Sequence, residues 1–345
     1  MTGDEPPGPF PGGRRLLFVT GKGGVGSTSV AAALAVDSAR RGLRTLVCEM
    51  GEGGLADALG ITGLGYEPTE VDFPTGGGEH PVPLWAMAMD TEAAAHEYLS
   101  RLLHLPLPTS LGPLGPILEF VSAAAPGVRE VLAVGKVAEE IREDRFDLVV
   151  VDGPATGHVV PMLSTPEGIA EITRGGLLRR EADWLTEMLS DPGVTGVVVV
   201  AVPEELAVAE AIDLLGRLGS ETTIEPAAVV VNKVPPPPLN PADRRTLDLL
   251  LATLAPADTG FGGDAASAAD TGFRGDAALM AVLRAAVLAD RIRSEAAEVL
   301  VEATPLLAVR VPHLNLPRVT GVVGEPDLVA SLAHALAAEM DQAER

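Results

Sequence analysis

The chain has a single cysteine, Cys48, in 345 residues. That excludes an intramolecular disulfide, a four-cysteine zinc site and an iron–sulfur cluster held by several cysteines of one chain. A reducing cytoplasm is the expected compartment. Basic residues are also scarce: 25 Lys and Arg stand against 48 Asp and Glu, for a formal net charge of −23. Binding to nucleic acid or to anionic lipid rewards clustered positive charge, so neither is expected. No uninterrupted apolar run reaches the length of a membrane span. Gly193–Val202 is too short, and Leu105–Ala125 is broken by Pro106, Pro108, Pro113 and Pro116. Met1–Gly13 lacks the basic start and apolar run of a signal peptide, and residues 1–14 are read as a disordered tail.

What the chain does have is Gly21-Lys22-Gly23-Gly24-Val25-Gly26-Ser27-Thr28-Ser29. It lies between Leu16–Thr20, which reads as a buried strand, and the alanine-rich Val30–Val36, with its high helix propensity. Strand, glycine-rich turn and helix in that order is the context of a phosphate-binding loop. Glycines let the backbone curl so that successive N–H groups point at an anion, and the positive end of the helix adds to that field. Gly21, Gly23, Gly24, Val25, Gly26, Ser27, Thr28 and Ser29 are therefore expected to cradle nucleotide phosphate. Set against Gly-x-x-x-x-Gly-Lys-Ser/Thr, the outer glycines are Gly21 and Gly26, and Thr28 takes the Mg²⁺ position. The lysine position is Ser27, which supplies no cation. Another lysine, Lys22, directly follows the first glycine.

A second constellation is Val150-Val151-Asp152-Gly153-Pro154-Ala155-Thr156-Gly157-His158. An apolar strand ending in Asp is where a P-loop protein holds Mg²⁺ or its bound water, so Asp152 joins Thr28 as an expected metal ligand. Gly157, five residues on, offers a backbone N–H to the γ-phosphate. His158 is read as packing or hydrogen-bonding locally, and Lys136 and Lys233 as solvated or near the nucleotide without doing chemistry.

Around these motifs, short β-branched runs alternate with helical patterns. The expected strands are Leu16–Thr20, Arg44–Glu49, Pro81–Met89, Phe146–Asp152, Val197–Val202, Ala227–Asn232 and Leu306–Val311. The pattern predicts an α/β, P-loop NTPase fold: a mostly parallel sheet with helices on both faces. A helical insertion layer is expected at about 91–144 and 160–190, within one domain over 15–345. Pro235–Pro238 is a stiff linker, and 255–278 reads as a low-complexity loop containing a near-repeat.

Gly-Lys-Gly-Gly-Val-Gly at 21–26 resembles the deviant Walker A motif of the MinD/ArsA class. Asp152–His158 with Met162-Leu163-Ser164-Thr165-Pro166 resembles the switch II of the ArsA family, which reads Asp-Thr-Ala-Pro-Thr-Gly-His and then Leu-Leu-x-x-Pro. Ala125–Val128 with Glu130 and Lys136-Val137 resembles that family's helical region. Val229–Lys233 resembles its adenine-reading strand end, and Leu307–His313 its final strand and adenine-flanking loop. The family comprises the arsenite-pump ATPase and the ATPase that delivers tail-anchored membrane proteins, and this chain looks most like a subgroup encoded in pairs. The resemblance implies a dimeric ATPase that uses Mg²⁺ and ATP. It implies that Lys22 reaches across the dimer interface to the partner's nucleotide and that Asn232 and Pro312 flank adenine.

The sequence also departs from that family. ATPase members carry Asp-Pro-Ala-(His/Arg) in switch I, where the Asp orients the attacking water. The equivalent stretch here is Glu49-Met50-Gly51-Glu52. The family's cysteine triad for arsenite and its Cys-x-x-Cys zinc clamp cannot be built with one cysteine, so neither metalloid nor zinc is carried over. Ser27 and switch I both point to slow turnover in the chain's own site. The expected function is an ATP-driven switch of a homodimer, or of a heterodimer with a paralogous ArsA-like ATPase, acting on a client or partner such as a hydrophobic protein. The alternative is a pseudo-ATPase, a structural or regulatory subunit of such a heterodimer. A surface-patterning ATPase of the MinD/ParA kind fits poorly, because Asp327–Arg345 is acidic rather than a basic amphipathic helix.

Overall fold

The computed structural model describes residues 13–51, 53–73, 83–103, 128–172, 177–254, 273–307, 311–322 and 324–343. The parts of the expected tail, helical layer and low-complexity loop at 1–12, 104–127 and 255–272 lie outside the described residues. By contacts the chain divides into two compact units, residues 1–234 with 304–345, and residues 235–303.

The larger unit is built on β1 (Leu16–Gly21), β2 (Thr45–Glu49), β3 (Thr69–Val71), β4 (Leu84–Ala88), β5 (Leu148–Asp152), β6 (Thr195–Ala201), β7 (Pro226–Val234) and β8 (His313–Pro317). They form one sheet in the order β3-β4-β2-β5-β1-β6-β7-β8. Every pairing is parallel except β3 against β4. β1, β5 and β6 are buried along their whole length, so both faces of the sheet centre are covered. This is why those strands read as continuous Val/Leu runs rather than alternating ones. The parallel sheet and the strands expected at 16–20, 44–49, 81–89, 146–152, 197–202 and 227–232 are all present.

On one face, Leu17, Val19, Val47, Val150, Val198 and Val230 meet α1 (Ser27–Arg40) and α10 (Glu325–Ala343). Val30 through Ala39 are all buried, and five of these ten residues are alanines that let the helix lie close to its neighbours. On α10, Val329, Leu332, Ala333, Leu336 and Met340 form one apolar stripe at helical spacing. α2 (Leu55–Leu59) adds Leu55, Ala58 and Leu59 to the same core.

The remaining helices of this unit are α3 (Thr91–Leu103), α4 (Val128–Arg142), α5 (Thr156–Ile172), α6 (Leu177–Ser190) and α7 (Glu205–Glu221). Between α3 and α4 lies a buried charge network. Lys136 bonds Glu97 at 2.9 Å and Glu140 at 3.2 Å, and Glu140 also accepts from Arg145 at 2.7 Å. The side chain of Lys136 is 4% exposed, so the reading of this residue as solvated is corrected. Burial raises the Glu140 carboxyl above its usual range, with Lys136 and Arg145 opposing.

Of the strand expected at Leu306–Val311, the described residues form none, and 308–310 lie outside them. Leu306 and Leu307 end the long helix α9 (Phe273–Leu307), and the strand is His313–Pro317. A short apolar run suits the last turn of a helix as well as a strand, and the helix arriving from Phe273 decides the matter. β8 is the last strand of the sheet: Leu314 and Leu316 are buried, His313 and Asn315 partly so. In the smaller unit, α8 (Pro241–Leu254) and most of α9 are joined through Asp290, which accepts from Leu239 N at 2.6 Å and Arg244 Nε at 2.7 Å.

Candidate functional site

The glycine loop leaves the C-terminal end of β1 at the sheet centre and turns into α1. Gly24 and Gly26 sit at φ +87° and +88°, the left-handed region that favours glycine. Gly26 is the N-cap of α1 and contributes no side-chain cap, so the N–H groups of the first turn remain turned outward toward the loop. A Cβ at Gly26 would lie 2.6 Å from Asn232 Nδ2, so this position is glycine for close approach as well as for conformation. Ser27, Thr28 and Ser29 open the helix, each partly exposed.

Asp152 ends β5, the strand beside β1. It lies on the α1 face of the sheet, two residues after Val150, and is 3% exposed. The Thr28 hydroxyl at the start of α1 favours its charged form. Burial pushes the Asp152 carboxyl up to about 6, and the negative charge of Glu49 adds to the rise against the Thr28 hydrogen bond. The two residues expected to hold metal are therefore brought together. Among the described residues no three His, Cys, Asp or Glu side chains converge as a metal cage. A Thr hydroxyl and one carboxylate are hard oxygen donors of the kind Mg²⁺ shares with substrate phosphates and water.

Glu49 is the register partner of Asp152 on β2 and therefore lies on the same face of the sheet. Its Oε2 accepts from Leu55 N at 2.8 Å, capping the first turn of α2. Of the two switch I carboxylates, Glu49 is thus engaged in holding a helix, and Glu52 lies outside the described residues. Gly157 lies in the first turn of α5, exposed, and His158 beside it is exposed rather than packed.

Lys22 pairs within its own chain: Nζ lies 2.8 Å from Oε1 of Glu210 on α7. Asn232 is 3% exposed, and its amide is engaged on both sides. Nδ2 donates to Val25 O at 2.9 Å, and Oδ1 accepts from Lys233 N at 2.8 Å. Lys233 is exposed, as expected of a solvated residue, and its Nζ also donates to Gly24 O at 2.7 Å, a contact with the loop.

Pro312 is not brought to this rim. It precedes β8, and its carbonyl accepts from Val229 N, three residues before Asn232 on the neighbouring strand. Parallel strands put all their C-terminal ends on one side, and Pro312 sits at the opposite end of its strand. At the rim Pro317 pairs with Val234, and Arg318 N donates to Val234 O at 2.7 Å. Sequence reasoning missed the contacts of Lys233, Glu210 and Glu49 with the loop and its surroundings. Lys233 was adjacent to a motif and legible as a neighbour, but Glu210 carries no signal of its own in an ordinary amphipathic helix.

A parallel sheet with a glycine loop from its central strand into a buried helix, and an Asp ending the next strand, defines the P-loop NTPase class. The anion-transporting ATPase family model matches residues 14–175. ATPase BagA of Mycobacterium tuberculosis is 31% identical over 239 residues, covering 67% of this chain and 68% of BagA. ATPase get3 of Schizosaccharomyces japonicus is 31% identical over 153 residues, 44% of each chain. ATPase ARSA1 of Chlamydomonas reinhardtii is 31% identical over 172 residues, 45% of this chain and 22% of the algal protein. The chain belongs to the ArsA-like ATPase family. Among the described residues no helix is long and apolar enough to cross a membrane.

Proposed function

We propose that this chain binds Mg²⁺·ATP on the loop of residues 21–29 and uses it to switch a dimer that handles a client or partner protein. The observation that carries this reading is the buried Asp152, which ends β5 beside the strand that leads into the glycine loop, with the start of α1 left without a side-chain cap. Thr28 and Asp152 would hold Mg²⁺, which neutralises phosphate charge, and the backbone N–H groups of the loop would bind the phosphates. Gly157 would present its N–H to the γ-phosphate from the first turn of α5. Because Asp152 ends β5 and Gly157 opens α5, a change at the phosphate is transmitted into the helical layer through α5. Lys22 would act across the dimer interface once released from Glu210. Asn232 would meet adenine with the donor and acceptor capacity that the loop leaves free.

Turnover in this site is slow on this reading. Ser27 leaves out one cation. A second reading, a pseudo-ATPase subunit, is favoured by one specific observation: Glu49 Oε2 caps α2 instead of standing free to orient water.

The test is binding of a fluorescent ATP analogue with and without Mg²⁺, followed by single-turnover hydrolysis. It is run on the full chain alone and mixed with a paralogous ArsA-like ATPase. Mg²⁺-dependent binding that Asp152→Asn removes supports the ATP-driven switch. Hydrolysis only in the mixture makes this chain one half of a heterodimer, and binding with no hydrolysis in either case selects the pseudo-ATPase. No binding under any condition overturns the ATP-driven switch and leaves a structural or regulatory subunit that holds no nucleotide.

A further inference from the structure

Ser27 leaves the phosphate loop without its usual lysine, yet a lysine does lie against that loop. Lys233 sits at φ +57°, and among the described residues only Asp144 shares the left-handed region without being glycine. A lysine pays a steric penalty there that glycine or asparagine largely avoids. The strand bulges at the same place: the pairing of β7 with β8 shifts register between Val231 and Val234. A bulge re-aims the side chains it carries. Here the result is that consecutive residues of β7 grip consecutive residues of the loop. Asn232 Nδ2 donates to Val25 O, and Lys233 Nζ donates to Gly24 O. Asn232 Oδ1 accepts from Lys233 N and locks the two together. The Lys233 side chain runs alongside the loop, with Cε 3.8 Å from where a Cβ of Gly26 would be.

We propose that Lys233 is a positioning residue of the phosphate loop that stands in for the missing lysine at Ser27. Its ammonium fixes the Gly24 carbonyl, whose peptide partner Val25 N donates to Lys22 O at 3.2 Å and closes the turn, and it adds a positive charge beside a loop whose other lysine, Lys22, is paired with Glu210. This rests on the nucleotide reading above for its charge component. Its structural component, the fixing of the loop, does not.

The experiment compares wild type, Lys233→Met, Lys233→Arg, Lys233→Gly, Ser27→Lys and the double variant Ser27→Lys/Lys233→Met, all as the full chain. Two quantities are read: amide exchange of Gly23–Val25 without nucleotide, and affinity for a fluorescent Mg²⁺·ATP analogue across a salt series. Lys233→Met should raise loop exchange and weaken binding about tenfold, the size of one charge-assisted hydrogen bond, with a shallower salt dependence. Lys233→Arg should recover most of the affinity, and Ser27→Lys should restore it in the double variant. Lys233→Gly relieves the backbone, so it should be at least as thermally stable as wild type while binding as weakly as Lys233→Met. A purely structural role would not separate stability from affinity in this way. Unchanged exchange and affinity in a folded Lys233→Met protein overturns the proposal. If wild type binds no nucleotide, the ATP reading fails, and loop exchange alone then upholds or overturns the positioning role.

Discussion

Lys22 Nζ and Glu210 Oε1 stand 2.8 Å apart within one chain, with both side chains about a third exposed. A lysine that is to reach a partner's nucleotide must first leave this carboxylate. A half-exposed ion pair is worth no more than about 1 kcal/mol, so Glu210→Gln should raise the fraction of Mg²⁺·ATP-dependent dimer by up to about fivefold. Analytical ultracentrifugation with and without nucleotide measures this. An unchanged dimer fraction would show that the pair does not restrain Lys22.

Ser27→Lys returns the missing cation to the first turn of α1. If Thr28, Asp152 and the loop are otherwise competent, single-turnover hydrolysis should rise by about tenfold or more, as expected for a group that stabilises transferring phosphoryl charge. Tighter binding without faster turnover would instead place the defect at switch I, where Glu49 is committed to Leu55 N.

Gly26→Ala puts a Cβ 2.6 Å from Asn232 Nδ2 at a φ of +88°. The Asn232–Val25 bond must then break or the loop must shift, and the left-handed backbone adds its own strain. A stability loss of about 1–3 kcal/mol is expected, together with loss of nucleotide binding. Thermal unfolding read beside binding checks both. A variant as stable as wild type would mean that the loop does not need this approach to β7.

Arg44 and Asp147 join the starts of β2 and β5 through Nη2 to Oδ1 at 2.6 Å, and the Arg44 backbone N–H donates to Oδ2 at 2.8 Å. The side-chain bond to Arg44 is the main reason that the Asp147 carboxyl lies below its ordinary value of 3.8, with partial burial opposing. A native value below the unfolded one gives stability that is complete above the ordinary value and is lost as pH falls through the depressed one. Asp147→Asn should therefore cost about 1 kcal/mol near neutrality, allowing for solvent screening, and less as the solution is acidified below the ordinary carboxylate value. Denaturant titrations at a series of pH values would show this narrowing. A cost independent of pH would mean that the charge contributes nothing.

Much of the site could be read before the fold was seen. Gly26, Thr28 and Asp152 were legible because a phosphate loop constrains neighbours in sequence: the glycine conformations, the hydroxyl after the turn and the carboxylate ending an apolar strand are all local signals. Pro312 was misplaced because the run at Leu306–Val311 is equally good as a helix end. Once the strand moved to His313–Pro317, Pro312 fell at the wrong end of it. Lys136 looked like a surface lysine because Glu140, one turn on along α4, is a partner an exposed lysine can have as well, whereas Glu97 becomes a neighbour only when α3 and α4 pack.

By itself the sequence determined the class of this protein. Covered parallel strands demand continuous apolar runs, and a loop that curls around an anion demands glycines, so both leave their mark in consecutive residues. Only the tertiary structure decided what each charged side chain does. Lys233 reaches Gly24 across 209 positions of chain, and Lys22 finds Glu210 across 188. Such pairings are set by which strands are adjacent and where a bulge aims them, and a periodicity or spacing along the chain carries no trace of either.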